Sequence, residues 1–121
     1  MKPEPGMLFW AELGLRLSHG HEQQGGRPVL LLGVPSKLGR PRFPMLIVAP
    51  VTSYRQQPWA HNAPRLYPRL EAGAGGLPRA SLVLLDQLQA LDPRRVRAYV
   101  GRLTAGEYHP IRESLRALLE L

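Results

Sequence analysis

A small antiparallel β-barrel, or a strongly bent sheet, closed by one terminal helix is the fold this sequence predicts. Three observations lead there. Five or six short apolar runs are separated by segments bearing Gly and Pro. Helical spacing of apolar residues is sustained only near the end of the chain, and no strand–helix–strand alternation, internal repeat or heptad pattern occurs. At 121 residues the chain has the length of one domain, 1–121, and can bury a core without disulfides or a structural metal.

Residues 7–13, short and apolar after Pro5-Gly6, read as a first strand. Residues 18–27 are polar and glycine-bearing and read as a loop. The run 28–33 is a second strand, punctuated against a helix by Gly26 and Pro28, and 35–44 is an exposed hairpin connection. Residues 45–53 form the strongest strand. The long stretch 54–78, with its prolines and the run Gly73-Ala74-Gly75-Gly76, reads as loop. Its one exception is an edge strand near 66–70, where proline is tolerated. Residues 81–88 look like another buried strand. Asp92-Pro93 is an N-cap followed by proline at the first helical position, so a short helical turn follows. A short strand returns at 100–103. Thr104 and Glu107 fit a capping box, and Ile111, Leu115, Leu118 and Leu119 mark an amphipathic helix. Pro110 fits that helix badly, which implies a kink or a start nearer His109.

Composition narrows the function. Apolar residues make up 44% and charged residues 21%, a globular balance. Without cysteine, thiol catalysis, disulfide frameworks and zinc ribbons are excluded. Sixteen Lys+Arg against 9 Asp+Glu leave a net charge of +7. The excess lies between Arg40 and Arg102, where ten arginines face only Glu71, Asp86 and Asp92. Arginine suits bidentate phosphate recognition, so a polyanion such as nucleic acid is the partner this implies; plain solubility is the alternative. No run reaches the length of a membrane span and the start shows no secretory signal, so a cytoplasmic protein without a membrane partner is expected.

Three places could carry chemistry. The segment 20–28, Gly-His-Glu-Gln-Gln-Gly-Gly-Arg-Pro, gathers an imidazole, a carboxylate, two amides and a guanidinium just before a core strand. It reads either as a site or as a polar surface loop. Thr52 and Ser53 place two hydroxyls at the end of the strongest strand, where a hydroxyl-capped turn is the plainer reading. Asp86 follows an apolar run and is either a buried, hydrogen-bonded structural carboxylate or a site residue. His19 and His21 stand close together but have no further ligand clustered beside them, so no metal site is expected. P-loop, HExxH and GxSxG motifs are absent.

Taken in order, these segments resemble the MazF/Kid (PemK) toxins of bacterial toxin–antitoxin systems. The residues that carry the resemblance are 20–30, Pro50-Val51-Thr52-Ser53 and Val83-Leu84-Leu85-Asp86-Gln87. Pro5-Gly6 with Phe9-Trp10 looks like the family's first strand, and Gly101-Arg102-Leu103 with the Leu-rich end looks like its close. The likeness runs from about residue 5 to 121 and weakens between 54 and 76, where this chain is longer and richer in Pro and Arg.

The resemblance implies an SH3-like barrel with added helices, working as a homodimer. It implies a sequence-specific endoribonuclease of single-stranded RNA, mRNA included, that uses neither metal nor cofactor. An acidic, MazE-like antitoxin would neutralise it by covering the RNA groove. Cleavage of this kind attacks the phosphate with the ribose 2′-hydroxyl and leaves a 2′,3′-cyclic phosphate. It needs a base, an acid and donors for the phosphorane oxygens.

Arg27 and Thr52 match the family's essential arginine and threonine, as phosphate clamp and hydroxyl donor. His21 and Asp86 match a histidine and a proposed aspartate base in the Kid branch. That branch has arginine two residues before the aspartate, where this chain has Leu84, so the departure favours the Arg27/Thr52 scheme. Glu22, Gln23, Ser53, Arg55, Arg40 and Arg42 are the expected RNA contacts, and Trp59 is either a stacking surface or a packing residue. The competing class is a non-catalytic protein on the same fold: a CcdB-like gyrase inhibitor or a plain nucleic-acid-binding barrel.

Overall fold

The computed structural model describes residues 2–14 and 25–121. Among these residues seven strands occur: β1 (Met7–Glu12), β2 (Gly26–Gly33), β3 (Leu46–Ser53), β4 (Arg69–Leu70), β5 (Ser81–Val83), β6 (Gln89–Leu91) and β7 (Val96–Arg102). Two helices, α1 (Pro58–His61) and α2 (Ala105–Leu118), join them. Every pairing among the described residues is antiparallel, in the order β4-β5-β3-β2-β1-β7, with β6 beside β3. The expected bent sheet with a closing helix is present. It is open: β4 and β7 end the hydrogen-bonded path.

The strands β1, β2 and β3 are buried on both faces, which is why they read as continuous apolar runs rather than alternating ones. Leu8, Leu30 and Ala49 share one face and pack with Val83, Leu85, Leu103 and Ile111. Phe9, Val29 and Val48 share the other and pack with Leu46 and Leu91. Leu30 is wholly buried, and burial of such a side chain contributes about 1.5–3 kcal/mol.

Strand β3 changes partner along one edge. Leu46 to Val48 pair with β6, whereas Val51 to Ser53 pair with β5. Pro50 lies between the two ladders. Its carbonyl accepts from Leu84 N at 2.9 Å on that same edge, so the missing proline N–H faces the gap and costs no ladder bond.

The open ends of the sheet meet through glycine. Gly75 and Gly76, both at positive φ, form a 3₁₀ turn against Val100 and Gly101 of β7. A side chain at Gly101 would strike the Gly75 carbonyl, and one at Gly76 would strike the Val100 carbonyl. Only glycine permits this backbone approach.

Helix α2 begins at the expected capping box, with Thr104 N donating to Glu107 Oε1 at 2.8 Å and Glu107 N to Thr104 Oγ1 at 3.1 Å. It runs through Pro110 instead of starting near His109. Both Pro110 and Gly106, whose carbonyl loses its helical donor, are exposed, so water can satisfy that oxygen. Ile111 reaches the core, whereas Leu118 and Leu119 are exposed.

Three further expectations change. The strand predicted at 81–88 is only Ser81–Val83, followed by a 3₁₀ turn over Leu85–Gln87. The strand at 100–103 starts earlier, at Val96, and so includes Arg97. That turn is 3₁₀, Pro93–Arg95, capped by Asp92, whose Oδ1 accepts from Arg94 N at 2.9 Å.

Candidate functional site

A cleft of about 580 Å³ opens over the start of β2 and the end of β3. Arg27, Thr52, Ser53 and Arg55 all line it, together with Trp10, Arg79 and Ser81, over an apolar floor that includes Val51, Leu77 and Val100. Residues far apart in sequence thus converge on one concavity: strands place Trp10, Arg27, Thr52, Ser53 and Ser81, and the segments beside β3 and β5 bring Arg55 and Arg79. The β2–β3 ladder pairs Leu31 with Val48, Leu30 with Ala49 and Val29 with Pro50. The ladder ends at that rung, and two residues beyond it on each strand Arg27 and Thr52 both line the cleft.

The cleft is cationic. Arg27, Arg55 and Arg79 line it, and among the described residues no carboxylate does. Arg27 is half-buried, and burial pulls its guanidinium below the ordinary arginine value. The group keeps its charge at neutral pH, so its partial desolvation favours a phosphate partner. Gly26 lies at the rim: a Cβ there would come within 3.1 Å of Trp10 Nε1 and 3.4 Å of Glu12 Oε2. The turn leaving β3 is fixed by Gln57, which donates Nε2 to the Ser53 carbonyl at 3.0 Å and accepts from Arg55 N at 2.7 Å. That clamp holds Arg55 on the cleft wall although Gln56 takes a positive φ of 58°.

Other expected site residues lie elsewhere. Asp86 is exposed, does not line the cleft, and accepts a 2.6 Å hydrogen bond from the Tyr67 hydroxyl. It is therefore neither a buried carboxylate nor placed as a base for the cleft. The hydrogen bond to Asp86 pushes the Tyr67 hydroxyl up to about 12. Arg40 and Arg42 are exposed on the β2–β3 connection, with Arg42 over the Phe43 ring at 5.4 Å, and neither lines the cleft. His21, Glu22 and Gln23 lie outside the described residues, as does His19. Among the described residues no three His, Cys, Asp or Glu side chains gather as a metal would require, and no helix is long and apolar enough to cross a membrane.

Sequence reasoning missed Trp10 and Arg79. The signal for Trp10 was slight, one aromatic in an apolar run. Arg79 had none, since only the β3–β5 pairing brings the residues before Ser81 beside Ser53.

Comparison with known proteins bears on this geometry. A search by sequence among curated proteins gives no match. Among solved structures, MazF from Deinococcus radiodurans is 28% identical, with a TM-score of 0.70 over 98% of this chain and 97% of its own. A MazE–MazF structure from the same organism gives 27% identity and a TM-score of 0.67 over 98% of this chain and 96% of that one. The Mycobacterium tuberculosis toxin MazF-mt6, at 21% identity and a TM-score of 0.65 over 98% of both chains, shares the fold. The profile of the PemK-like, MazF-like toxins of type II toxin–antitoxin systems matches residues 4–119. With its open antiparallel sheet, closing helix and arginine-lined cleft, the chain belongs to the PemK/MazF-like toxin family.

Proposed function

We propose that this toxin is a metal-independent, sequence-specific endoribonuclease whose substrate is single-stranded RNA, mRNA included. The observation that carries the reading is the convergence of Arg27, Thr52, Ser53 and Arg55 on one cationic cleft. A phosphodiester seated there meets a guanidinium and a hydroxyl from facing strands. Arg27 neutralises the charge that builds on the phosphorane oxygens, and Thr52 donates to one of them. The 2′-hydroxyl loses its proton to a base and attacks the phosphorus. The bond to the 5′-oxygen breaks, that oxygen takes a proton, and a 2′,3′-cyclic phosphate remains. His21 has the right intrinsic range for the base. Asp86 is given no part in the proton transfers, because it stands off the cleft and holds Tyr67.

The relatives solved as MazE–MazF complexes support an acidic, MazE-like antitoxin as the partner. The ten arginines between 40 and 102 supply the complementary charge. We read the working form as a cytoplasmic homodimer of this one domain.

The test is incubation of a long single-stranded RNA in EDTA with the wild-type protein and with Arg27→Ala. Cleavage by the first and not the second, with cyclic phosphate ends, is the expected result. Intact RNA in both, or equal cleavage by both, overturns the reading.

A further inference from the structure

The stretch between β3 and β5 carries an aromatic that the cleft does not use. Trp59, on α1, leaves 46% of its surface exposed, yet it is held in place. Its ring packs edge-to-face on Tyr67, with centroids 4.8 Å apart and planes at 78°. Tyr67 is itself fixed by its 2.6 Å hydrogen bond to Asp86. An indole that is immobilised on one side and open elsewhere presents a flat apolar surface at little entropic cost.

Its position relative to the cleft is also fixed. Gln57, the residue before α1, bonds both the Ser53 carbonyl and the Arg55 amide, and Ser53 and Arg55 line the cleft wall. The indole is therefore anchored two residues from a clamp on the cleft. The charge around it favours a polyanion. Glu71, the acidic residue of this stretch, is paired with Arg69 at 3.3 Å, and Arg55 and Arg65 are exposed.

We propose that Trp59 is a base-stacking platform for an unpaired nucleotide on the strand whose phosphate lies in the cleft. This rests on the reading of the cleft as an RNA site and extends it by one subsite. Stacking tolerates any base, so Trp59 contributes affinity and single-strand selectivity rather than the sequence read. A paired base has its face covered by its neighbours and cannot use the platform. Tyr67 and Asp86 act through Trp59 as positioning residues.

The test measures binding of a mixed-sequence 2′-O-methyl RNA, which lacks the attacking hydroxyl, as a single strand and as a duplex. Wild type is compared with Trp59→Leu, which keeps apolar bulk against Tyr67, and Trp59→Phe, which keeps an aromatic face. Trp59→Leu is expected to weaken single-strand binding about 5- to 100-fold, Trp59→Phe to retain most of it, and duplex binding to be the same for all three. Single-strand affinity unchanged in Trp59→Leu overturns the proposal, as does an equal loss for both strands and duplex. Cleavage of unmodified RNA separates the two readings. A wild type that shows this binding pattern but cuts nothing removes the nuclease and leaves the platform. A wild type that binds no single strand removes both.

Discussion

Arg27 and Thr52 stand the same two residues beyond Val29 and Pro50, the final rung of the β2–β3 ladder. Both side chains therefore leave strand ends and reach one cleft from neighbouring strands of a sheet whose core lies on both faces.

Replacement of Arg27 by lysine is expected to cost nearly as much as replacement by alanine. Loss of one preorganised donor to a developing oxyanion lowers kcat by about 10²–10³, and an ammonium cannot reproduce the guanidinium fork. Thr52→Val, which removes only a hydroxyl, is expected to lose about 10- to 100-fold. Single-turnover cleavage in EDTA reads both, and near-wild-type rates for Arg27→Lys would show that charge alone suffices.

Gly101→Ala tests how the open sheet is drawn together. Its Cβ meets the carbonyl of Gly75, so the 74–76 turn must move away from β7. Overpacking of this kind costs about 1–3 kcal/mol. Thermal unfolding followed by circular dichroism should show a lowered Tm, while an unchanged Tm would mean that the turn yields freely.

The capping box makes a smaller, separate contribution. Thr104→Ala removes the acceptor for Glu107 N and is expected to destabilise by about 0.5–2 kcal/mol. Urea denaturation should give a reduced midpoint with the m-value preserved.

Alkaline pH should act through Tyr67. Its hydroxyl is raised from 10.0 to about 12 by the bond to Asp86, so the folded protein holds that proton more tightly than the unfolded chain does. The stability this adds is complete below pH 10 and is lost as pH rises towards 12. Ultraviolet titration of the four tyrosines should contain a late component that shrinks in Tyr67→Phe, while Tyr108, raised by burial, still titrates late there. A late component of the same size in wild type and Tyr67→Phe would mean that the 2.6 Å bond does not persist in solution.

Much of the fold was legible because β1, β2 and β3 carry apolar side chains on both faces. The same cue misled at 84–85. Leu84 and Leu85 are as buried as any strand residue but belong to a turn that plugs the core, and apolarity does not distinguish the two. The opposite error shortened β7, where Arg97, Ala98 and Tyr99 are exposed and give a polar edge strand little apolar signal. Helix α1 escaped notice at four residues, although Pro58 at its first position was a usable cue. In the cleft, Arg27, Thr52, Ser53 and Arg55 belong to strands or their ends and were readable. Trp10 and Arg79 arrive by tertiary approach, which one sequence does not encode locally. Asp86 looked like chemistry because it follows an apolar run, yet its partner Tyr67 lies 19 positions away.

The stretch between β3 and β5 is pinched at its base, where Ser53 faces Ser81 and Tyr54 N donates to the Ala80 carbonyl at 2.8 Å. Closure of such an excursion grows only slowly more costly with length, about 0.6 kcal/mol per doubling. Residues can be gained or shed in its exposed part, around 61–65, without shifting the pairing of Thr52 with Leu82. Descendants of this architecture are thus free to remodel this outer part while the cleft residues on β2 and β3 stay put, and their divergence should accumulate as insertions and deletions at this spot.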